Sequence, residues 1–214
     1  MFSFLRLSDV VRTKNAANNP VIFESGRSKA QFNGPEADYA MTHTIPATVP
    51  EHGPSIFQPP PHYHIHQTEK FKIQSGVADF FLGLDPKPVA TLSVGGQTTI
   101  AIPVATYHRF ENASKTEDLV IDIHLIPENY EGEERFFRNF FGYLDDCKSA
   151  KMEPSLFQLM VFLQAADVVL ALPLPSHGLG VIVSRVFLTL IAGWGKWVLG
   201  YKPSYEEYYE DKSK

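Results

Sequence analysis

Three histidines fall within five residues, His62, His64 and His66, and a carboxylate, Glu69, follows them. Alternate residues of a strand share a face, so His62 and His64 can aim their rings at one point. His66 joins them unless the chain bends after Ile65. Neutral imidazoles with one hard carboxylate suit a first-row divalent metal that keeps coordination positions open. The plain alternative is a polar loop with solvated histidines, because a short motif of this kind also occurs without a ligand.

Strand-like sequence surrounds these residues. Val21-Ile22-Phe23 after Pro20, and Ala40 to Ile45, read as short strands, with Pro46, Pro50, Gly53-Pro54 and Pro59 to Pro61 breaking the chain after them. Lys70 to Ile73 alternates; Gly76 then turns the chain into Val77 to Leu82. Ala90 to Val94, the Gly95-Gly96 turn, Thr98 to Ile102 and Leu119 to Ile126 follow. Short strands with frequent turns predict a sandwich or barrel rather than a parallel sheet. After Pro127 the texture changes. Phe136, Phe137, Phe140, Phe141 and Leu144 recur at helical spacing behind an acidic start, Glu131 to Glu134. Two apolar segments, Leu156 to Leu172 and Leu179 to Leu199, are separated by Pro173, Pro175 and Gly178 and read as a helical hairpin. The expected division is a barrel with N-terminal strands over 1–127, an aromatic amphipathic helix over 128–150, the hairpin over 151–200 and a polar tail over 201–214.

The residues around the histidines narrow the reading. His62-Tyr63-His64, then Glu69, then Gly76, resembles the first signature of the cupin superfamily, and Pro103, Ala105, His108 and Asn112 resemble the second. Ala105 stands where that signature usually has glycine, a departure that touches the turn and not the ligands. The resemblance covers roughly residues 55 to 127. It implies a mainly β cupin-like double-stranded β-helix, a jelly-roll barrel, here with a C-terminal α-helical extension. It also puts His62, His64, Glu69 and His108 on the metal-ligand positions, with one divalent first-row ion (Fe, Mn, Ni or Zn) as the implied cofactor. His66 is not a standard ligand position and is expected at the rim or simply exposed.

Asp122 and His124 share the strand face opposite Leu119, Ile121, Ile123 and Leu125. If that polar face looks into the cavity, His124 is a candidate catalytic acid or base; if it faces solvent, the pair is ordinary surface. Phe71, Phe80 and Tyr107 are candidate cavity walls. His43, His52 and His177 are given no role.

The hairpin poses a separate question. Leu156 to Leu172, 17 residues, would reach about 26 Å as a helix, short of a ~30 Å hydrocarbon core. Leu179 to Leu199 is long enough to span but carries Arg185 and Lys196, which with Thr189 and Ala192 form one narrow stripe opposite Trp194 and Phe187. Packing against protein, as in a homodimer, is the expected use of these segments; contact of residues 156–199 with a membrane surface is the alternative.

Composition limits the remaining choices. Of 214 residues, 44% are hydrophobic and 20% charged, which excludes a wholly disordered or collagen-like chain. A single cysteine, Cys147, excludes an internal disulfide framework and a zinc site of several thiolates. The net charge of −5, without a basic block, argues against nucleic acid as a partner. Met1 to Leu5 is apolar, but Arg6, Ser8 and Asp9 follow too soon for a secretory signal, so an intracellular, cytoplasmic location is expected, with membrane association as the variant of it. The expected function is that of a metal-dependent cupin oxidoreductase, a dioxygenase above all, on a small aromatic or polyketide-like substrate. A non-enzymatic binding cupin, or a cupin isomerase or cyclase, is the alternative.

Overall fold

The computed structural model describes residues 9–174 and 176–211, without the side chain of His177. The reading of the N-terminal Met1 to Leu5 segment therefore lies outside the described residues. The chain divides into two compact units, residues 19–130 and a second formed by the remaining N-terminal and C-terminal segments.

The first unit is built from short antiparallel strands. β1 (Val21–Phe23), β2 (Ser28–Phe32), β3 (Met41–Ile45), β5 (Thr68–Ser75), β8 (Thr99–Ile102) and β10 (Leu119–Ile126) form one sheet in the order β1-β2-β3-β10-β5-β8. β4 (His62–His64), β6 (Val77–Leu82), β7 (Ala90–Ser93) and β9 (His108–Asn112) form the second, in the order β4-β9-β6-β7. This is the jelly-roll arrangement of a cupin. Alternation explains how it holds together. In β10, Ile121, Ile123 and Leu125 lie opposite Ile73, Phe71 and Glu69 of β5, so these side chains share the inner face. Met41, His43 and Ile45 of β3 join that face opposite Ile123, Ile121 and Leu119. The polar positions between them, Thr42, Asp122 and Lys72, face outward, where Thr42 Oγ1 donates to Asp122 Oδ1 at 2.7 Å.

Gly76 makes the β5–β6 turn with φ +80°, and a Cβ there would stand 2.5 Å from the Asp118 carbonyl oxygen, so glycine is required on both counts. The motif residue Asn112 clamps the 112–119 turn: its amide donates to the carbonyls of Ile45 (3.1 Å) and Glu117 (2.8 Å) and its oxygen accepts from Ser114 N–H.

The second unit differs from the expected sequence of separate pieces. α1 (Tyr130–Ser149) is the aromatic helix, α2 spans Leu156–Ala165, and α3 spans His177–Trp194 and runs into a π-helical turn, Gly195–Leu199. The first hairpin segment stops short of Leu172: Asp167 adopts φ +54°, and the β-branched Val168 and Val169 continue as the extended β11 (Val168–Leu170). The tail is no polar appendage. Tyr201, Tyr205, Tyr208 and Tyr209 are buried, and Tyr205 and Tyr208 share a core cluster with Val10, Tyr143, Cys147 and Phe162. Asp146 ties three segments together, accepting from Thr13 N–H (2.8 Å), Thr13 Oγ1 (2.6 Å) and Tyr208 O–H (2.5 Å). Residues 9–18 thus belong with the helices and not with the barrel, contrary to the expected 1–127 division.

Candidate metal centre

His62 and His64 leave β4 on one side, with Tyr63 between them pointing away, and His62 lies opposite His108 of β9 in the antiparallel pair. The three imidazoles come from one sheet and Glu69 from β5 of the other. The nearest ring centroids, His62 and His108, are 4.4 Å apart, and His62–His64 and His64–His108 are 5.4 and 5.8 Å apart. One ligand atom from each of His62, His64, Glu69 and His108 can be chosen so that all lie within 4.8 Å of one another, and all four residues are buried. Metal–ligand bonds of about 2.0–2.2 Å separate opposed donors by up to ~4.4 Å, so a small closure of this group would hold an ion.

Backbone carbonyls prepare the rings. His62 Nδ1 lies 3.0 Å from Pro60 O and His108 Nδ1 lies 2.9 Å from Thr106 O. With Nδ1–H donating there, His62 Nε2 is left with its lone pair toward the cluster, the arrangement that orients a metal-ligating histidine, while His108 Nε2 meets Glu69 Oε2. His64 is held through its main chain, where Ala105 N–H donates to His64 O at 2.9 Å. Ala105 meets that requirement in the left-handed region, φ +55°, which is the conformation the glycine of the signature would adopt more easily.

Electrostatics agrees with this chemistry. Burial pushes the His62 pKa down to about 3, and the neighbouring His108 and His64 add to the effect, so the ring is neutral and its lone pair free at physiological pH. Burial works to raise the Glu69 pKa, but His64 and His108 beside it outweigh that and hold it well below the usual carboxylate range. Glu69 Oε2 lies 2.8 Å from His108 Nε2 and 3.2 Å from His64 Nε2. Neither ring nitrogen of the buried His64 has a hydrogen bond of good geometry. Such a group costs about 1–3 kcal/mol unless another partner takes its place, and a divalent ion drawing on the lone pair is such a partner. The donor set fits a metal.

Not every candidate residue joins the cluster. His66 is exposed in a bend after β4. His124 pairs with Lys70 and sits on the outer face of β10, opposite in sense to Glu69 and Phe71. Its neighbours there are Glu128, 3.6 Å from Nδ1, and the Tyr39 ring at 6.3 Å. The inner face of β10 is taken up by its aliphatic residues, so His124 lies away from the cluster and has no acid–base role there. Phe71 and Phe80 do face inward, but they pack on each other and on Phe110 with centroids 5.0–5.7 Å apart and fill the layer next to the candidate ligands. Tyr107 packs on Tyr63 at 5.2 Å.

Two inner groups were missed. His43 is wholly buried and stacked on Phe57, 4.8 Å and 11° between planes, and burial drives its pKa down to about 3, with Glu69 acting in the opposite sense. The alternation of Met41-Thr42-His43-Thr44-Ile45 was the available signal, since it puts His43 with the two apolar residues. Glu24 is buried too, bonded to Ser28 Oγ and to Ser55 Oγ (2.5 Å), at a turn where Glu24, Ser25 and Gly26 all have positive φ. No local pattern announced it.

No family model matches the chain. Among curated proteins, it is 36% identical over 174 residues to the probable oxidoreductase virH of Hypocrea virens, covering 79% of this chain and 75% of that protein. It is 32% identical over 169 residues to the oxidoreductase iacF of Pestalotiopsis fici, covering 76% of this chain and 80% of the other. Among solved structures, the cupin domain of Schizosaccharomyces pombe Cnp3 aligns over 54% of this chain and 70% of that one, at 16% identity and a TM-score of 0.34.

Proposed function

The chain belongs to the family of the oxidoreductases virH and iacF, and from that membership and its own cupin fold we propose that it is a metal-dependent oxidoreductase of a small organic substrate. The observation that carries this reading is the buried His62, His64, Glu69 and His108 cluster, whose donors match a first-row divalent ion. An ion bound there supplies a Lewis-acidic, redox-capable centre with coordination positions left over. Dioxygenation, with dioxygen as the oxidant, is the reaction class this ligand set suits best.

The protein's own residues have definable tasks in this reading. The carbonyls of Pro60 and Thr106 fix the ring orientation of His62 and His108 before any ion arrives. Glu69 contributes the negative charge that offsets the ion's. Phe71, Phe80 and Phe110, packed on one another, exclude water from the layer beside the candidate ligands; an aromatic or polyketide-like compound is the proposed substrate class.

The test is elemental analysis of full-length protein prepared without chelator, followed by oxygen uptake with aromatic compounds after loading with Fe(II), Mn(II), Ni(II) or Zn(II). About one ion per chain and metal-dependent oxygen consumption are expected. Protein that carries no ion and gains none would end the metal reading; stable metal binding with no oxygen uptake on any loading would leave a binding protein in place of the oxidoreductase.

A further inference from the structure

Helix α3 and its π-helical extension present three different faces. Ser184, Leu188, Ala192, Gly195 and Leu199 are buried, spaced three or four residues apart along one side. Leu179, Ile182, Val183, Val186, Leu190, Trp194 and Trp197 are exposed along the opposite side, with Leu190 66% and Trp197 75% accessible. Arg185, Thr189 and Lys196 are exposed along one edge of that apolar strip. The stripe read from the sequence is thereby divided, since Ala192 belongs to the buried side.

An apolar strip of this length in water requires an occupant, and its charge indicates which. From His177 to Gly200 the chain has no aspartate or glutamate, and its cations stand on the rim, although the protein as a whole carries −5. A second copy docked through this face would set Arg185 and Lys196 against a helix with no carboxylate to receive them. Anionic headgroups supply the missing counter-charge. The arrangement is that of a helix lying flat in a membrane interface, its apolar arc in the acyl boundary, its cations among the headgroups and its tryptophans near the headgroup level. A crossing orientation is disfavoured, because Arg185 would sit inside the hydrocarbon layer.

We infer that the α3 face formed by Ile182, Val186, Leu190, Trp194 and Trp197, edged by Arg185 and Lys196, binds the surface of an anionic bilayer. The inference is independent of the oxidoreductase reading.

The two tryptophans of the chain, Trp194 and Trp197, both lie at this face, so intrinsic tryptophan emission reports on it alone. Full-length protein is titrated with phosphatidylcholine vesicles and with vesicles containing 30 mol% phosphatidylserine (~30 mol%, a level that gives a surface potential of tens of millivolts). The expected result is a blue shift and co-flotation with the anionic vesicles, reversed by high-pH carbonate. Ile182→Ser with Leu190→Ser, both at exposed positions, lowers the partition coefficient about tenfold or more. Arg185→Gln with Lys196→Gln lowers it about 30-fold on anionic vesicles, near fivefold per charge. Unchanged emission and no flotation with wild-type protein would overturn the inference. So would release by detergent but not carbonate, which marks a spanning helix. A vesicle-free dimer that Ile182→Ser with Leu190→Ser converts to monomer would also overturn it, in favour of a second copy.

Discussion

At the scale of single residues, the four candidate ligands are unequal. His62, His64 and His108 each offer one ring nitrogen, whereas Glu69 offers charge. His108→Ala is expected to abolish stoichiometric metal, and Glu69→Gln to weaken it less, since an amide oxygen still offers a lone pair; elemental analysis after dialysis measures both. His43 yields a prediction about acid. Its folded pKa lies near 3 and its unfolded value near 6.5, so the unfolded chain binds the extra proton between those values. The stability due to a neutral His43 is complete above about pH 6.5 and is lost as pH falls toward 3. His43→Phe keeps a ring against Phe57 and removes this titration. Chemical denaturation at pH 7 and pH 4.5 should show a smaller acid loss for the variant than for the wild type; equal losses would mean that His43 titrates freely in the folded protein.

At the scale of elements, one turn and one helix make testable demands. Ala105→Gly relieves a left-handed alanine that costs about 1–2 kcal/mol, against about 0.4–1 kcal/mol of added unfolded-state entropy, so a net gain of about 0.5–1 kcal/mol is expected in denaturant midpoints. Gly142→Ala does the reverse: within α1 its Cβ would stand 2.5 Å from Tyr208 Cδ1, a clash expected to cost about 1–3 kcal/mol and to loosen the C-terminal tail. The barrel strands and three helices were legible because each carries its own period, two in Leu119 to Ile126 and near 3.6 in Phe136 to Phe141. The convergence of His62, His64, Glu69 and His108 was legible because they sit in two short motifs whose spacing is visible in one sequence. What could not be read depended on partners distant in the chain or on a single backbone angle. The face of His124 is decided by pairing with β5, the end of α2 by a positive φ at Asp167, and the burial of Tyr205 and Tyr208 by Asn139, Gln158 and Asp146.

At the scale of the whole molecule, the two compact units can be tested for separate unfolding transitions, and ligands would distinguish them. Metal bound only by the folded barrel raises that unit's transition by mass action, about 2.7 kcal/mol at a hundredfold excess over the dissociation constant. Differential scanning calorimetry with and without Zn(II) should therefore move one transition and leave the other, whereas Gly142→Ala should move the second. The alternation along β5 also bears on inheritance. Glu69, Phe71 and Ile73 serve the interior while Lys70 and Lys72 serve the outside. Insertion or loss of one codon within Thr68–Ser75 would exchange the two sets, turning lysines toward the ligands and the carboxylate toward water. A change of length is therefore expected to be tolerated better at the 83–89 connection than within Glu69 to Ile73, which admits substitution only.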